Sequence, residues 1–176
     1  GAQIMCWTYI YQYAEAINIT SENAANYQFV CFIVFLIGRT IGTYLLRFIN
    51  SGKLLFQFAI MAGVCVLATV FIEGIVGLYA LVGISFFMSL MFPTIYGIAL
   101  EDLDEKESKI GAAGLVMAIV GGALMPKLQG MIIDLGGSGV NDTQIMGVSE
   151  VNFSFLLPLL CFLFIAYYGR NISKQA

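Results

Sequence analysis

Residues 76–99 read VGLYALVGISFFMSLMFPTIYGIA and contain no charged side chain. A helix needs about 20 mostly apolar residues to cross a bilayer, and this stretch has that length. Because backbone polar groups in lipid must find their partners within the segment, the stretch predicts a transmembrane α-helix. Four further segments are long and mostly apolar, at residues 28–48, 54–72, 110–133 and 153–168.

The N-terminal segment, residues 2–14, is apolar but too short to span a bilayer. The chain opens at Gly1, next to this apolar stretch, and not at an initiator Met. We therefore expect the segment to be the outer part of a helix whose beginning is missing. Together the segments predict an all-α membrane protein: a six-helix bundle with a truncated first helix.

The composition excludes several classes of protein. Hydrophobic residues make up 60% of the chain and charged residues 11%, whereas a soluble domain carries about 25% charged residues. The net charge of -3 provides no basic field for nucleic acid. The chain has no His and no CxxC pair, and it contains no nucleotide-binding loop or nucleophile triad. We expect no enzyme activity, no metal site, no cofactor and no nucleic-acid partner.

Basic residues are confined to one side of the predicted bundle. The connections at residues 15–26, around Glu73 and at residues 134–150 contain acids but neither Lys nor Arg. Cytoplasmic connections retain Lys and Arg, which predicts a multi-pass protein of the inner (plasma) membrane with a cytoplasmic C-terminus. Lys127 is the exception, and the bases on the other side are Arg47, Lys53, Lys106, Lys109, Arg170 and Lys174.

Arg39 is the most deeply placed base, within the second predicted helix. A guanidinium inside a membrane helix costs a few kcal/mol, so it is expected to face protein and a partner. Glu101, Asp102 and Asp104, at the cytoplasmic end of the fourth helix, are the candidates within the chain. A gate-type ion pair is one interpretation, and simple snorkelling of Arg39 to the interface is the other.

The first helix carries Gln3, Trp7 and Tyr11 at i, i+4 and i+8, which places an amide, an indole and a phenol on one face. Such a face suits a sugar, because the amide binds hydroxyls while the rings stack on the C–H face of a pyranose. The alternative is an aromatic belt at the outer membrane interface, which Tyr9, Tyr11 and Tyr13 would fit.

Pro93 lies in the middle of the fourth predicted helix. Proline removes a backbone donor and predicts a kink at mid-membrane. Transporters place substrate sites beside such interrupted helices. Phe92 and Tyr96, four residues apart, are candidate wall residues of such a site, and ordinary core packing is the competing interpretation.

Small residues predict where helices approach closely. Gly38 and Gly42 form a GxxxG pair in the second helix, and such pairs favour close backbone packing. A longer stripe recurs at every fourth position of the fifth helix, at Gly114, Ala118, Gly122, Pro126 and Gly130. All eleven carboxylates fall in connections or at helix ends, so a proton-binding acid is expected outside this chain.

Several motifs in order resemble the L-fucose–proton symporter family of the major facilitator superfamily, over nearly the whole chain. They are GAQ (residues 1–3) with Cys6 and Trp7, GRTIGT (38–43), FPTI (92–95), and GGALMP (121–126) followed by Asp134. The resemblance implies that residues 1–176 are helices seven to twelve of a twelve-helix permease, whose N-terminal bundle is absent from this chain.

The resemblance also implies a function. It implies import of a monosaccharide, L-fucose in the first place, by alternating access, with a proton as the coupling ion and the protonatable acids in the first bundle. Gln3 and Trp7 are then the best-matched sugar contacts, while Arg39 and Arg47 belong to a cytoplasmic loop motif with a gating role. Phe92 stands where a Tyr is expected before the Pro-Thr, which points to another hexose.

Three alternatives remain open at this point. The family includes glucose/galactose carriers, which differ in substrate. A non-transporting six-helix scaffold or receptor subunit is possible on composition alone, as is a small transporter that forms a homodimer. The asymmetry of Lys and Arg argues against a dual-topology dimer.

Overall fold

The computed structural model describes residues 1–101, 103–135, 137, 144–145 and 147–175, without the side chains of Glu105 and Gln175. Within these residues the regular elements are helices apart from one small antiparallel pair, β1 (Gln144–Ile145) and β2 (Val148–Ser149), in which Gln144 pairs with Ser149. The helices are α1 (Ala2–Thr8), α2 (Ile10–Ala16), α3 (Ser21–Leu45), α4 (Ser51–Phe71), α5 (Ile75–Met88), α6 (Met91–Leu100), α7 (Glu105–Met117), α8 (Gly121–Ile133), α9 (Glu150–Ser154) and α10 (Leu156–Gln175), with a 3₁₀ turn at Ala118–Val120 between α7 and α8.

Five helical stretches of the described chain are long and apolar enough to cross a membrane. They are Ser21–Leu45, Ser51–Phe71, Ile75–Leu100, Lys106–Ile133 and Glu150–Lys174. Each overlaps one of the five segments predicted from apolar length, so the expectation of an all-α membrane fold is confirmed. The shorter first segment is also helical. The backbone N–H of Tyr9 donates to the carbonyl of Met5, and the N–H of Tyr13 donates to the carbonyl of Tyr9, so α2 continues directly from α1.

The second predicted helix begins one to two turns earlier than the apolar run indicates. It starts at Ser21 rather than at residue 28, which reduces the preceding connection to residues 17–20. The added turns are polar, and Glu22 lies in the first turn, where a negative charge interacts favourably with the helix dipole. A search for apolar segments does not detect such polar residues, so it places the start of the helix too late.

Two prolines interrupt the helices that contain them. Pro93 has no N–H to donate to the carbonyl of Ser89, and the structure separates α5 from α6 at residues 89–90. The kink predicted at this position is therefore confirmed. Pro158 stands in the same relation to Ser154, where α9 ends before α10 begins.

Glycines set the closest helix contacts. A Cβ at Gly52 of α4 would lie 2.7 Å from the amide nitrogen of Ser173, and one at Gly169 of α10 would lie 2.9 Å from that of Phe56. The backbones of α4 and α10 therefore touch at the end where α4 begins. The GxxxG pair of α3 also packs as predicted, because a Cβ at Gly38 would meet the carbonyl oxygen of Phe86 at 2.5 Å.

The glycine stripe of the span Lys106–Ile133 packs along only part of its length. Gly122 faces Ile4 of α1 and Gly130 faces the Tyr9 hydroxyl, but a Cβ at Gly114 would meet no described atom within 4 Å. The predicted close approach is therefore confirmed for the α8 half, whereas the side chains of the α7 half are largely exposed within this chain.

Candidate functional site

A cavity of about 530 Å³ opens beside the interruption between α5 and α6. This volume is in the range of small-molecule sites, which run from about 300 to 1,000 Å³. The break at Pro93 allows α5 to contribute Met88 while α6 contributes Phe92, and the start of α1 adds Gln3. The remaining described wall residues come from α1, α6, α8 and α10: Gly1, Ala2, Met91, Ile95, Gly121, Met125, Leu157, Leu160, Cys161, Phe162, Phe164 and Ile165.

The wall of this cavity is apolar with one amide. Among the described residues that line it, Gln3 supplies the amide and Cys161 a thiol, while no side chain carries a charge. An amide can both donate to and accept from a hydroxyl group. The arrangement suits an uncharged ligand with a hydroxyl edge and an apolar face.

Trp7 points away from this cavity. Its ring contacts Phe32 and Phe35 of α3 edge to face, with centroid distances of 5.0 and 5.1 Å. Its indole N–H donates to the Ser85 hydroxyl of α5 at 3.3 Å. The structure therefore separates Trp7 from Gln3, which sequence spacing had placed on one face.

Of the other predicted wall residues, one lines the cavity and two do not. Phe92 lines the cavity and is 51% exposed, and the Tyr96 ring lies 6.2 Å from the Phe92 ring. Tyr96 and Tyr11 are not among the described residues that line the cavity. The structure brings Gln3 and Phe92 together, and it leaves a substrate role for Trp7, Tyr11 and Tyr96 as a prediction.

Arg39 and Arg47 share a second cavity, of about 430 Å³, on an exposed surface formed by the last turns of α3 and the residues just after it. The hydroxyls of Thr40 and Thr43, which also line it, donate to the carbonyls of Leu36 and Arg39 at 3.0 and 2.7 Å. These bonds occupy the two hydroxyls within their own helix, so the guanidinium groups remain as the charged donors of this surface.

The predicted partners of Arg39 do not pair with it in the described part of the chain. Neither Glu101 nor Asp104 forms an ion pair with Arg39 there, and Asp102 lies outside the described residues. Arg39, Glu101 and Asp104 are all exposed within this chain rather than buried against each other. A gating partner for Arg39 would have to lie beyond these residues.

A buried polar cluster at the end of the bundle where α4 ends and α9 begins was missed by the sequence analysis. The Gln129 amide of α8 donates to the Ser154 hydroxyl at 3.0 Å, and the Asn152 amide donates to the carbonyl of Thr69 at 3.0 Å. Glu150, which we expected in an open connection, is fully buried as the first residue of α9. Asp142, from the same connection, lies outside the described residues.

The start of α9 contains the signal that could have located this cluster. The Ser149 hydroxyl accepts from the amide of Asn152 at 3.4 Å, as an N-cap residue does, and donates to the side chain of Asn152 at 3.0 Å. A Ser followed by Glu in the first turn is a helix-start pattern. No group of three or more His, Cys, Asp or Glu that could hold a metal was found among the described residues.

These features are those of a helical membrane bundle with an apolar cavity beside an interrupted helix, the arrangement in which secondary transporters place their substrate sites. No family model matches the chain. The chain is 53% identical over 174 residues to the L-fucose-proton symporter of Haemophilus influenzae. This alignment covers 99% of this chain and 39% of that protein. It is 35% identical over 140 residues to a glucose/galactose transporter of Brucella abortus, covering 80% of this chain and 31% of the relative.

A solved structure agrees with these relatives. The outward conformation of the major facilitator superfamily transporter FucP matches with a TM-score of 0.83 and 32% identity, over 96% of this chain and 38% of that one. The chain therefore belongs to the fucose permease family of the major facilitator superfamily, as its motifs predicted. It spans less than half the length of the relatives it matches. Those relatives are transporters and not enzymes.

Proposed function

We propose that residues 1–176 form the C-terminal six-helix bundle of a proton-coupled symporter that imports L-fucose or a related hexose by alternating access. The observation that carries this proposal is the 53% identity to an L-fucose-proton symporter along almost the entire chain. The missing partner is a preceding six-helix bundle of the same polypeptide, and the two bundles would enclose the substrate between them.

The cavity beside Pro93 supports a sugar as the substrate. A hexose is uncharged, and the described wall contains no charged side chain. Gln3 would bind sugar hydroxyls, while Phe92 would pack against the C–H face of the ring.

The coupling proton would bind in the other bundle. No carboxylate is among the described residues that line the cavity, so this bundle offers no acid next to the sugar. Symport requires that proton and sugar favour the same conformational change. The first bundle would then supply the titrating acid, and no other cofactor would be needed.

Arg39 and Arg47 would act at the cytoplasmic gate. They share one exposed surface at the end of α3 and form no ion pair within the described chain. In the outward-open state they would bind acidic groups or carbonyls of the first bundle and close the cytoplasmic side. The confinement of bases to this side supports an inner-membrane location with a cytoplasmic C-terminus.

The substrate alternatives are distinguished by one transport experiment. The complete parent gene is expressed in cells that lack sugar uptake, and entry of radiolabelled L-fucose is measured with and without a protonophore. We expect protonophore-sensitive uptake that unlabelled L-fucose inhibits more strongly than glucose or galactose does. Stronger inhibition by glucose or galactose would make the protein a carrier of those sugars, as the Brucella relative suggests.

The same experiment tests the scaffold hypothesis. A protein that reaches the membrane in normal amount but takes up none of the three sugars contradicts the proposed function. Measurement of the protein in isolated membranes supplies the control, because it separates failure of expression from failure of transport.

A further inference from the structure

The helices α4 and α10 enclose a basic cavity at the end where α4 begins and α10 ends. Its volume is about 440 Å³. We call it the α4–α10 basic cavity, and its lining residues are Lys53, Phe56, Gln57, Arg170, Ser173 and Lys174. It is separate from the cavity beside Pro93 and shares no lining residue with it.

Three cations face this cavity without a counter-ion. Lys53, Arg170 and Lys174 form no ion pair in the part of the chain that the structure describes, and no carboxylate is among the lining residues. Gln57 and Ser173 add uncharged donors beside them. Three positive groups around one recess repel each other unless an anion occupies it, so the site favours a group such as phosphate.

Apolar side chains continue from the cavity along both helices. On α4, Phe56 and Ile60 follow Lys53 at helical spacing, and on α10, Tyr167 and Leu163 precede Arg170 at the same spacing. Ile60, Tyr167 and Leu163 are exposed, Tyr167 to 66%. The surface is therefore cationic at the membrane edge and apolar towards the membrane interior. A phospholipid has the matching arrangement, with its charged headgroup at the edge and its acyl chain in the interior.

We propose that the α4–α10 basic cavity binds the phosphate of an anionic phospholipid, whose acyl chain lies along Phe56, Ile60, Leu163 and Tyr167. Basic recesses between transmembrane helices on the cytoplasmic side are suited to such headgroups. A free phosphate ion would use the cations but not the apolar strip. The site requires that the helices span a membrane, and it does not depend on which sugar is transported.

The test uses the complete transporter in phosphatidylcholine nanodiscs doped with phosphatidylglycerol, and native mass spectrometry measures the phosphatidylglycerol that remains bound. The test variant is Arg170→Gln with Lys174→Gln. The matched control, Lys106→Gln with Lys109→Gln, removes the same charge from the same end of the bundle. We expect the test pair to weaken phosphatidylglycerol binding by about tenfold and the control pair by about twofold or less.

Two results would overturn the proposal. Equal loss of phosphatidylglycerol in the two double variants, or no loss in either, would mean diffuse attraction to the membrane surface. Displacement of the lipid by inorganic phosphate, beyond that by chloride at matched ionic strength, would assign the cavity to free phosphate. If the test pair unfolds, the single variant Lys174→Gln is compared with Lys106→Gln in the same way.

Discussion

At the scale of single residues, Trp7 and Gln3 show what a helical repeat can and cannot tell. Spacing placed both on one face of the first helix, yet Gln3 lines the cavity while Trp7 packs on α3 and bonds Ser85. The repeat gives the angle between side chains but not the neighbour that each one meets. The two residues are therefore expected to respond differently to substitution.

Gln3→Leu in the complete transporter should weaken sugar binding without loss of the fold. The change keeps the side-chain size and removes the amide, which costs about 1 kcal/mol for one neutral hydrogen bond and raises the apparent KM about fivefold to tenfold. Initial uptake rates over a range of sugar concentrations measure this. An unchanged KM would remove Gln3 from the proposed sugar contacts.

Trp7→Ala should lower the melting temperature of the purified transporter more than Trp7→Phe does. The alanine loses both ring contacts with Phe32 and Phe35, whereas phenylalanine keeps a ring beside them and loses the bond to Ser85. Thermal unfolding in detergent measures the difference, with Ser85→Ala as the control for that bond. A raised KM in Trp7→Phe at unchanged stability would instead place the indole in the sugar site.

At the scale of helices, apolar length and proline positions were sufficient to predict the spans. The five long segments and the break at Pro93 follow from lipid solvation and a missing N–H, which are local properties. The burial of Glu150 was not predictable in this way, because it depends on α8 and α4 lying over the start of α9. The exposure of Gly114 was missed for the same reason: a stripe of small residues does not specify its partner.

Gly169→Ala should destabilise the protein, although alanine favours a helix by about 1 kcal/mol over glycine. The new methyl group would lie 2.9 Å from the Phe56 nitrogen, so α4 and α10 must separate. Gly83→Ala is the matched control, since its methyl group would meet its nearest neighbour, the Cys65 sulfur, at 3.8 Å. Melting temperatures should fall for Gly169→Ala and hold or rise for Gly83→Ala, and equal values would contradict the close α4–α10 contact.

At the scale of the whole molecule, the distribution of exposed surface agrees with half of a larger assembly. The surface at the end of α3 with Arg39 and Arg47 and much of α7 are uncovered within this chain. A sequence of one bundle predicts its own spans and orientation, because both are set by local composition. It does not predict a partner for Arg39 or Arg47, and neither residue forms an ion pair within the described chain.

Arg39→Gln should reduce uptake by the complete transporter while leaving its amount in the membrane unchanged. The reason is loss of the closed cytoplasmic gate, which shifts the population of conformations rather than the fold. Lys106→Gln removes a base from the same side and serves as the control. Radiolabelled sugar uptake, normalised to protein in the membrane, measures the effect, and equal uptake by both variants would leave Arg39 as a snorkelling residue.

Cys161, described above as part of the cavity wall, gives the protein a natural reporter of occupancy. Of the four free cysteines, Cys6 and Cys31 are buried and Cys65 does not line the cavity. Cys161 is therefore the described cysteine that lines the cavity. A small uncharged alkylating reagent should modify it slowly, and a sugar bound in the cavity should protect it from modification. Mass spectrometry of the modified peptide would then give a binding isotherm for any sugar, without a radiolabel, a membrane gradient or an engineered residue.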